Sequence, residues 1–388
     1  MRAVTIRVTF ILFAVVFSWL EFSQAADESA PKVKQSPEEL KTTMQWWVER
    51  QLQTVKDFQI NQTNCPTCGV TAEGDVAPKT CEKNYQNVYR KKTTVAGEPW
   101  KTYKDGKAYI DVSIVFGYTD YGDEVDDKYT RAALMDELRR PCAKVEGITA
   151  CGFKYPHKLG DSDADYDDYH LNPTDPGYDD HDDGDVIYRN VNGPTGPVTI
   201  RITIKNSSAT VSEAQNRKLA SDGTVILSQE QAEKTQAAED LWFNGLNGDA
   251  AIVMYTGHFR GGGGPSMRPP KVNLKTRSTD YDYYRAHPDS LNQTLATLQN
   301  ADNAPAIVGL FACYSDPIAG ASLQAAAPKT AFALTGDSSQ EANLSHVFAL
   351  MDDVMAYRCK DEVMESFNSI TKLPYDHLGP TFVHGLFP

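Results

Sequence analysis

Two apolar runs in this chain end in residues that could act together as a nucleophile and a proton carrier. The first, DAAIVMYTGHFRGGGG at 249–264, reaches His258 just before four consecutive glycines. The second, APAIVGLFACYSD at 304–316, reaches Cys313. A thiolate can attack a carbonyl carbon while an imidazole supplies a proton to the leaving amine. The two motifs therefore predict acyl-transfer chemistry at a Cys313–His258 pair, provided that both side chains reach one crevice.

The surrounding sequence alternates between strand and helix patterns, which is typical of a mostly parallel α/β sheet covered by helices on both faces. Helical spacing of apolar residues predicts the helices, and apolar or alternating runs predict the strands. A capping box formed by Ser228 and Gln231 marks the start of one helix. The predicted strands lie at 108–120, 148–155, 197–207, 250–256, 306–312 and 330–338, and the predicted helices at 126–140, 228–244, 288–300 and 342–357.

A parallel sheet gives the two motifs a reason to meet. Strands joined by right-handed helical crossovers point the same way, and ligands bind past their carboxyl ends. Neighbouring strands lie about 4.8 Å apart, so His258 and Cys313 come close if their strands are adjacent. The amides of the loop at Gly257, Phe259 and Gly261, together with that of Cys313, are the predicted oxyanion and substrate contacts.

A strand that ends in histidine, followed about fifty residues later by a strand that ends in Ala-Cys, resembles the caspase-fold cysteine peptidases. The ACYS at 312–315 is similar to bacterial members of the legumain family. The resemblance implies Cys313 as nucleophile and His258 as general acid and base, with no cofactor required. The family usually has glycine directly after the histidine, where this chain has Phe259. The residues around Cys313 do not imply a caspase-type preference for aspartate in the substrate. Arg260, Arg268 and Asp316 remain open as contacts for a charged substrate side chain.

The N-terminus indicates export. A basic start, an apolar core at 8–20 and small residues before Ala25 are typical of a signal peptide, cleaved near that residue, so a secreted or periplasmic protein is expected. No second apolar run reaches membrane-spanning length. We divide the chain into a signal peptide at 1–25, an N-terminal helix plus cysteine-containing accessory segment or propeptide at 26–105, and a catalytic domain at 106–388.

The cysteine count is odd, which in an oxidising compartment suggests disulfides plus one remaining thiol. Cys142 and Cys151 are expected to pair because they flank one helix-to-strand connection. Three bridges that exclude Cys313 would account for every cysteine. The CPTC motif at 65–68 is open to a structural disulfide, a metal clip or a redox role. The other disulfide candidates are Cys65, Cys68, Cys81 and Cys359.

An acidic insert at 161–185 accounts for most of the net charge. The chain carries −14, and the 11 aspartates of this insert, which contains no Lys or Arg, leave −3 for the rest. Nucleic acid is excluded as a partner because no basic footprint is present. The alternating carboxylates could bind a structural Ca²⁺, and a solvated acidic loop or a transition metal at His170 and His181 are the alternatives. The predicted calcium ligands are Asp161, Asp163, Asp165 and Asp167.

Together these features predict a secreted cysteine endopeptidase that acts on peptide or protein substrates through a thioester. The alternative is a catalytically inactive binding protein of the same fold that uses the acidic loop with calcium. No Gly-Lys-Ser/Thr follows the glycines and no Gly-x-Ser-x-Gly is present, which argues against a phosphate-binding loop and a serine hydrolase. The oligomeric state is not predicted.

Overall fold

The computed structural model describes residues 88, 108–123, 125, 127–144, 148–154, 185–193, 196–337, 340–370 and 381–384. All of them belong to the compact unit Lys41–Pro388. The predicted signal peptide, the cysteines at 65, 68 and 81, and the predicted calcium ligands at 161–167 lie outside the described residues. Within the described part, no helix is both long and apolar enough to cross a bilayer.

A seven-stranded sheet forms the centre of the molecule, in the order β11-β10-β9-β6-β1-β3-β2. The five inner strands, from β10 to β3, are parallel, and the two edge strands pair antiparallel to their neighbours. The predicted mostly parallel sheet is therefore confirmed. Its strands are β1 (Ala108–Phe116), β2 (Val186–Gly193), β3 (Gly196–Asn206), β6 (Ile252–Thr256), β9 (Ile307–Phe311), β10 (Ala331–Thr335) and β11 (Thr381–His384).

Helices connect these strands and cover the sheet. Two small antiparallel pairs lie outside it: β4 (Arg217–Leu219) with β5 (Val225–Leu227), and β7 (Val272–Asn273) with β8 (Ser278–Thr279). The helices are α1 (Asp127–Arg139), α2 (Glu213–Asn216), α3 (Gln229–Asn244), α4 (Tyr281–Ala286), α5 (Asp289–Asn300), α6 (Ser315–Ala326), α7 (Gln340–Met355) and α8 (Lys360–Ile370).

The strands bury both faces, which makes a three-layer α/β arrangement. Successive strand residues point to opposite faces, and β6 shows this directly: Ile252 and Met254 pack in one core cluster, and Val253 and Tyr255 in the other. The first cluster also takes residues of α1, α7 and α8, and the second takes residues of α3, α5 and α6. A strand buried on both faces reads as a continuous apolar run, as the IVMY of β6 does.

Two local predictions were wrong in detail. The segment 148–154 forms only an isolated bridge, between Lys154 and Tyr188, because its backbone bonds elsewhere. The Asp352 carboxylate accepts hydrogen bonds from the amides of Thr149 and Ala150. At the start of α3, the Ser228 side chain does accept from the Gln231 amide, as an N-cap does. The Gln231 side chain, however, bonds away from Ser228 and does not complete the capping box.

Candidate active site

Strand register brings His258 and Cys313 to equivalent positions at the carboxyl edge of the sheet. In the parallel pair β6–β9, Thr256 lies opposite Phe311. The Gly257 amide extends this pairing with a hydrogen bond of 3.2 Å to the Phe311 carbonyl. His258 and Cys313 each follow two residues after those register partners, so both stand on the rim of neighbouring strands. The predicted adjacency of the two strands is confirmed.

Cys313 is present as a thiol and is half-buried. Cys142 and Cys151 form a disulfide, with Cα atoms 5.1 Å apart, and Cys359 is also disulfide-bonded. Among the described cysteines, therefore, Cys313 is the one available for nucleophilic chemistry. The predicted exclusion of Cys313 from the disulfides agrees with this part of the chain.

A third side chain that the sequence analysis did not identify, Asp120, orients His258. It follows β1, the strand on the other side of β6, and its Oδ2 lies 3.2 Å from His258 Nδ1. The Asp120 side chain is 7% exposed and that of His258 is 26% exposed. A carboxylate at Nδ1 holds the proton there and leaves Nε2 as the nitrogen that can exchange a proton at the crevice.

The electrostatic effects on this pair have opposite signs and a clear net direction. Burial lowers the pKa of His258, but its hydrogen bond to Asp120 and the charge of that carboxylate raise it above the ordinary value. Burial also raises the pKa of Asp120, and His258 together with Arg260 outweighs that effect and holds it well below the usual range. The pair therefore favours an ionised carboxylate beside an imidazole that gains a proton easily.

Two further residues complete a group that we name the edge cluster: Asp120, His258, Arg260 and Tyr281. Arg260 Nε donates to Asp120 Oδ1 at 3.1 Å, and the Tyr281 hydroxyl donates to Asp120 Oδ2. Both carboxylate oxygens of Asp120 are therefore occupied. Hydrogen bonds to both oxygens fix the plane of the carboxylate and, through it, the imidazole.

Arg260 is fully buried and holds the backbone around the site together. Its guanidinium donates to the carbonyls of Tyr118 at 3.0 Å, Thr119 at 3.1 Å and Arg268 at 2.7 Å. Its side chain has no exposed surface. Arg260 is therefore a structural residue of the site, and it is not placed to meet a substrate side chain.

Tyr255 holds the backbone of His258 in place through its hydroxyl group. Its hydroxyl donates to the His258 carbonyl at 3.0 Å and accepts from the Ser266 amide at 2.8 Å. The ring is fully buried, and it lies where a Cβ on Gly117 would overlap the hydroxyl. The glycine is required at 117 because the tyrosine passes directly over it.

The backbone is unusual on both sides of the pair. Arg260 and Tyr314 are non-glycine residues with positive φ, at 43° and 61°. Tyr314 directly follows Cys313, and Arg260 comes two residues after His258. Such conformations cost on the order of 1–3 kcal/mol each and are concentrated at functional sites. The two residues after Arg260 also have positive φ, at 65° for Gly261 and 109° for Gly262, which glycine adopts without strain.

The same region contains a set of possible metal ligands. Asp120, Asp123 and His258 each offer one ligand atom, and these atoms lie within 4.8 Å of one another. Carboxylate and imidazole ligands suit a divalent transition metal. A metal ion there would have to displace the hydrogen bonds that already occupy Asp120.

The structure places the remaining predicted residues as follows. Phe259 is buried in the core, and Gly261 is exposed at the loop tip. Arg268 pairs with Glu239 at 2.7 Å, and Asp316 accepts from His384, so both carry protein partners. Asp120 could have been found as the acidic residue at the carboxyl end of the predicted strand 108–120. No comparable signal marked Tyr281, which comes from the start of α4.

Comparisons with known proteins give no relative for this chain. A scan against protein-family models, a search of the curated proteins and a search of the solved structures each found no match. The functional interpretation therefore depends on the geometry of the site alone.

Proposed function

We propose that this protein is a cysteine endopeptidase of the caspase-like type, with Cys313 as nucleophile, His258 as general acid and base, and Asp120 as the residue that positions His258. The single observation that carries the proposal is the register at the sheet edge. Thr256 and Phe311 are register partners, and His258 and Cys313 each follow two residues after them. Asp120, which follows the adjacent strand β1, contacts Nδ1 of His258. Secretion and a peptide substrate are part of the same proposal.

The proposed reaction proceeds in two steps. In the first, the Cys313 sulfur bonds to the carbonyl carbon of the scissile peptide, and the imidazolium of His258 gives a proton to the leaving amine as the C–N bond breaks. In the second, His258 takes a proton from water, whose oxygen attacks the thioester carbonyl carbon; the C–S bond breaks and releases the acid and the Cys313 thiolate beside the imidazolium. Asp120 remains ionised throughout and stabilises the imidazolium, as the raised His258 pKa supports.

Backbone amides are the donors that we propose for the developing oxyanion. The Gly257 amide already donates to the Phe311 carbonyl, so the Phe259 amide is the better candidate on the His258 loop. Phe259 has its ring buried in the core, which fixes the orientation of its amide. A loss of one such donor costs about 10²–10³ in kcat.

The test is peptidase activity of the secreted chain on a mixed peptide library, measured with Cys313→Ala and His258→Ala. We expect each variant to lose at least about a thousandfold in kcat/KM, because removal of a member of such a unit leaves only binding and oxyanion stabilisation. His287→Ala is the matched control, since His287 is exposed and bonds only within its own helix through Tyr283. Equal activity in Cys313→Ala and wild type would contradict the proposal.

A second candidate function, metal-assisted hydrolysis, is favoured by the ligand set Asp120, Asp123 and His258. Three protein ligands with an open position can activate water at a divalent metal. The two candidates make opposite predictions for two treatments. The cysteine peptidase keeps its activity in a chelator and loses it in Cys313→Ala, whereas the metal hydrolase does the reverse. An inactive calcium-binding protein of this fold would show no activity under either condition.

A further inference from the structure

Exposed apolar side chains concentrate around the proposed nucleophile. Across the described residues, the large hydrophobic side chains with high exposure are Ile226, Leu274, Tyr281, Tyr314 and Ile318. Tyr314 follows Cys313 directly, Tyr281 belongs to the edge cluster, and Ile318 lies on the first turns of α6. Exposed apolar side chains grouped beside a reactive residue are candidates for a substrate-binding surface.

Two of these side chains flank the glycine loop that follows His258. A Cβ on Gly261 would lie 3.5 Å from Tyr281 Cδ1, and a Cβ on Gly262 would lie 3.5 Å from Ile318 Cγ2. The two consecutive glycines therefore lie between the aromatic ring of Tyr281 and the aliphatic side chain of Ile318. A Cβ on Gly261 would also lie 3.4 Å from Arg285 Nη1, and Gly262 is buried, so the glycines pack in ordinary contact with both side chains and leave their outer faces exposed.

Tyr314 extends this surface toward the sulfur. The Ile318 amide donates to the Tyr314 carbonyl at 3.2 Å, which places Ile318 one turn further along α6. Tyr314 is 41% exposed, and so is Ile318. Tyr314 is the N-cap residue that precedes α6, so it adjoins the first turn of the helix, on which Ile318 lies. We name Tyr281, Gly261, Gly262, Ile318 and Tyr314 the apolar strip.

The proposed reaction indicates on which side of the scissile bond the strip lies. The general acid must lie beside the leaving amine, so the part of the substrate that leaves first lies on the His258 side. Gly261, the first of the four consecutive glycines, comes three residues after His258 and forms one border of the strip. The strip is thus on the leaving-group side of the scissile bond.

We propose that the apolar strip is a specificity subsite that binds an apolar side chain on the substrate residue directly after the scissile bond. The inference rests on the proposed cysteine peptidase activity and adds the class of substrate to it. A pocket that gains or loses one or two methylenes discriminates by about 10–200-fold. We expect about a tenfold preference for leucine over serine at that position.

The experiment maps cut sites in a protein-derived peptide library for wild type, Ile318→Ser and Ile318→Leu. Wild type is expected to cut before apolar residues, Ile318→Ser to lose most of this preference, and Ile318→Leu to keep it. Ile226→Ser is the matched control, because Ile226 is 57% exposed and lies on β5, outside the strip. Denaturant unfolding of each variant checks that the fold is intact.

A pair of substrates then separates subsite loss from general damage. One is an internally quenched peptide with leucine after the cut, and the other is the same N-terminal half joined to a small fluorogenic amine. The inference predicts that Ile318→Ser reduces kcat/KM about tenfold more on the quenched peptide than on the fluorogenic amine substrate. An unchanged cut-site profile in Ile318→Ser, or equal losses on both substrates, overturns it. A library that wild type does not cut at all overturns the proposed peptidase activity itself, and this inference with it.

Discussion

Asp120 and Asp353 are both buried aspartates bonded to a buried arginine, yet the surroundings push their carboxyl groups in opposite directions. In the edge cluster, one carboxylate faces the guanidinium of Arg260 and the imidazole of His258. In a second group, which we name the helix cluster, Asp352 and Asp353 share the single guanidinium of Arg358, at 3.1 and 2.6 Å. The two clusters differ in the number of cationic groups for each carboxylate.

The pKa values follow from this ratio. For Asp353, burial and the neighbouring charge of Asp352 raise the pKa to about 8, against the opposing effect of Arg358. For Asp120, burial also raises the pKa, but the two cationic neighbours reverse the direction. The edge cluster keeps a fixed negative charge beside a histidine, whereas the helix cluster holds a proton at neutral pH. Only the first arrangement can support proton transfer by an imidazole.

The largest expected effect comes from Arg260→Met, which removes the buried cation of the edge cluster. Asp120 then loses one partner, and the carbonyls of Tyr118 and Thr119 lose their donors. Removal of one partner from a buried ion pair costs about 3–5 kcal/mol. We expect a loss of this size in the free energy of unfolding, measured by denaturant titration, together with the loss of peptidase activity. A variant of wild-type stability would show that the cluster does not hold the loop.

Asp120→Asn is expected to reduce activity strongly with a smaller change in stability. The amide keeps the shape of the carboxylate but removes the charge that stabilises the imidazolium, and such a change lowers kcat by about 10⁴ in the Ser-His-Asp enzymes. Because Asp120 raises the pKa of His258, the variant should titrate at lower pH. NMR titration of the His258 ring measures this shift. Asp282→Asn, whose side chain is 85% exposed, is the control and should leave the titration unchanged.

Asp353→Asn should change how stability depends on pH. Asp353 has an ordinary pKa of 3.8 and a folded pKa of about 8, so the folded chain holds a proton that the unfolded chain has lost between these values. Its contribution to stability therefore falls as the pH rises through that window. The asparagine variant lacks this loss, and its free energy of unfolding should fall by about 4 kcal/mol less than that of wild type between pH 5 and pH 8.

Unfolding of both proteins at the two pH values measures the difference, with Asp302→Asn, at an exposed site, as control. Parallel pH profiles for wild type and Asp353→Asn would contradict the raised pKa of Asp353 in the helix cluster.

The smallest effect is expected for Arg268→Met, which breaks an exposed ion pair. Arg268 is 63% exposed and bonds to Glu239 at 2.7 and 2.8 Å. Surface pairs of this kind contribute about 0–1 kcal/mol. Unfolding of Arg268→Met beside Arg260→Met, two arginines eight positions apart in sequence, compares a solvated with a buried guanidinium. Equal losses in the two variants would show that burial does not set the energetic difference.

The sheet could be predicted from sequence because its inner strands are apolar or alternating runs that occur among helical patterns. The order His258 then Cys313 also followed, since both close such runs. The edge strands β2 and β11 and the helices α6 and α8 were missed. The strand pattern of β2 follows an acidic segment. The helix α6 begins at Ser315, inside the motif that was interpreted for Cys313.

The edge cluster could not be predicted, because its members come from three separate segments of the chain. Asp120 follows β1, Arg260 belongs to the glycine loop, and Tyr281 starts α4. Only the folded register brings them together, and nothing in the local sequence of Arg260 distinguishes a buried guanidinium from one that meets a substrate.

The most direct test of the central claim is the pH dependence of Cys313 alkylation in the oxidised, disulfide-intact protein, with the modified residue identified by mass spectrometry. The account predicts rapid labelling of Cys313 at mildly acidic pH in wild type, because a nearby imidazolium stabilises the thiolate. It predicts that His258→Ala shifts this reactivity to the higher pH of an ordinary thiol, while His287→Ala does not. Labelling of Cys313 at the same rate in wild type and His258→Ala across the pH range would contradict a shared site.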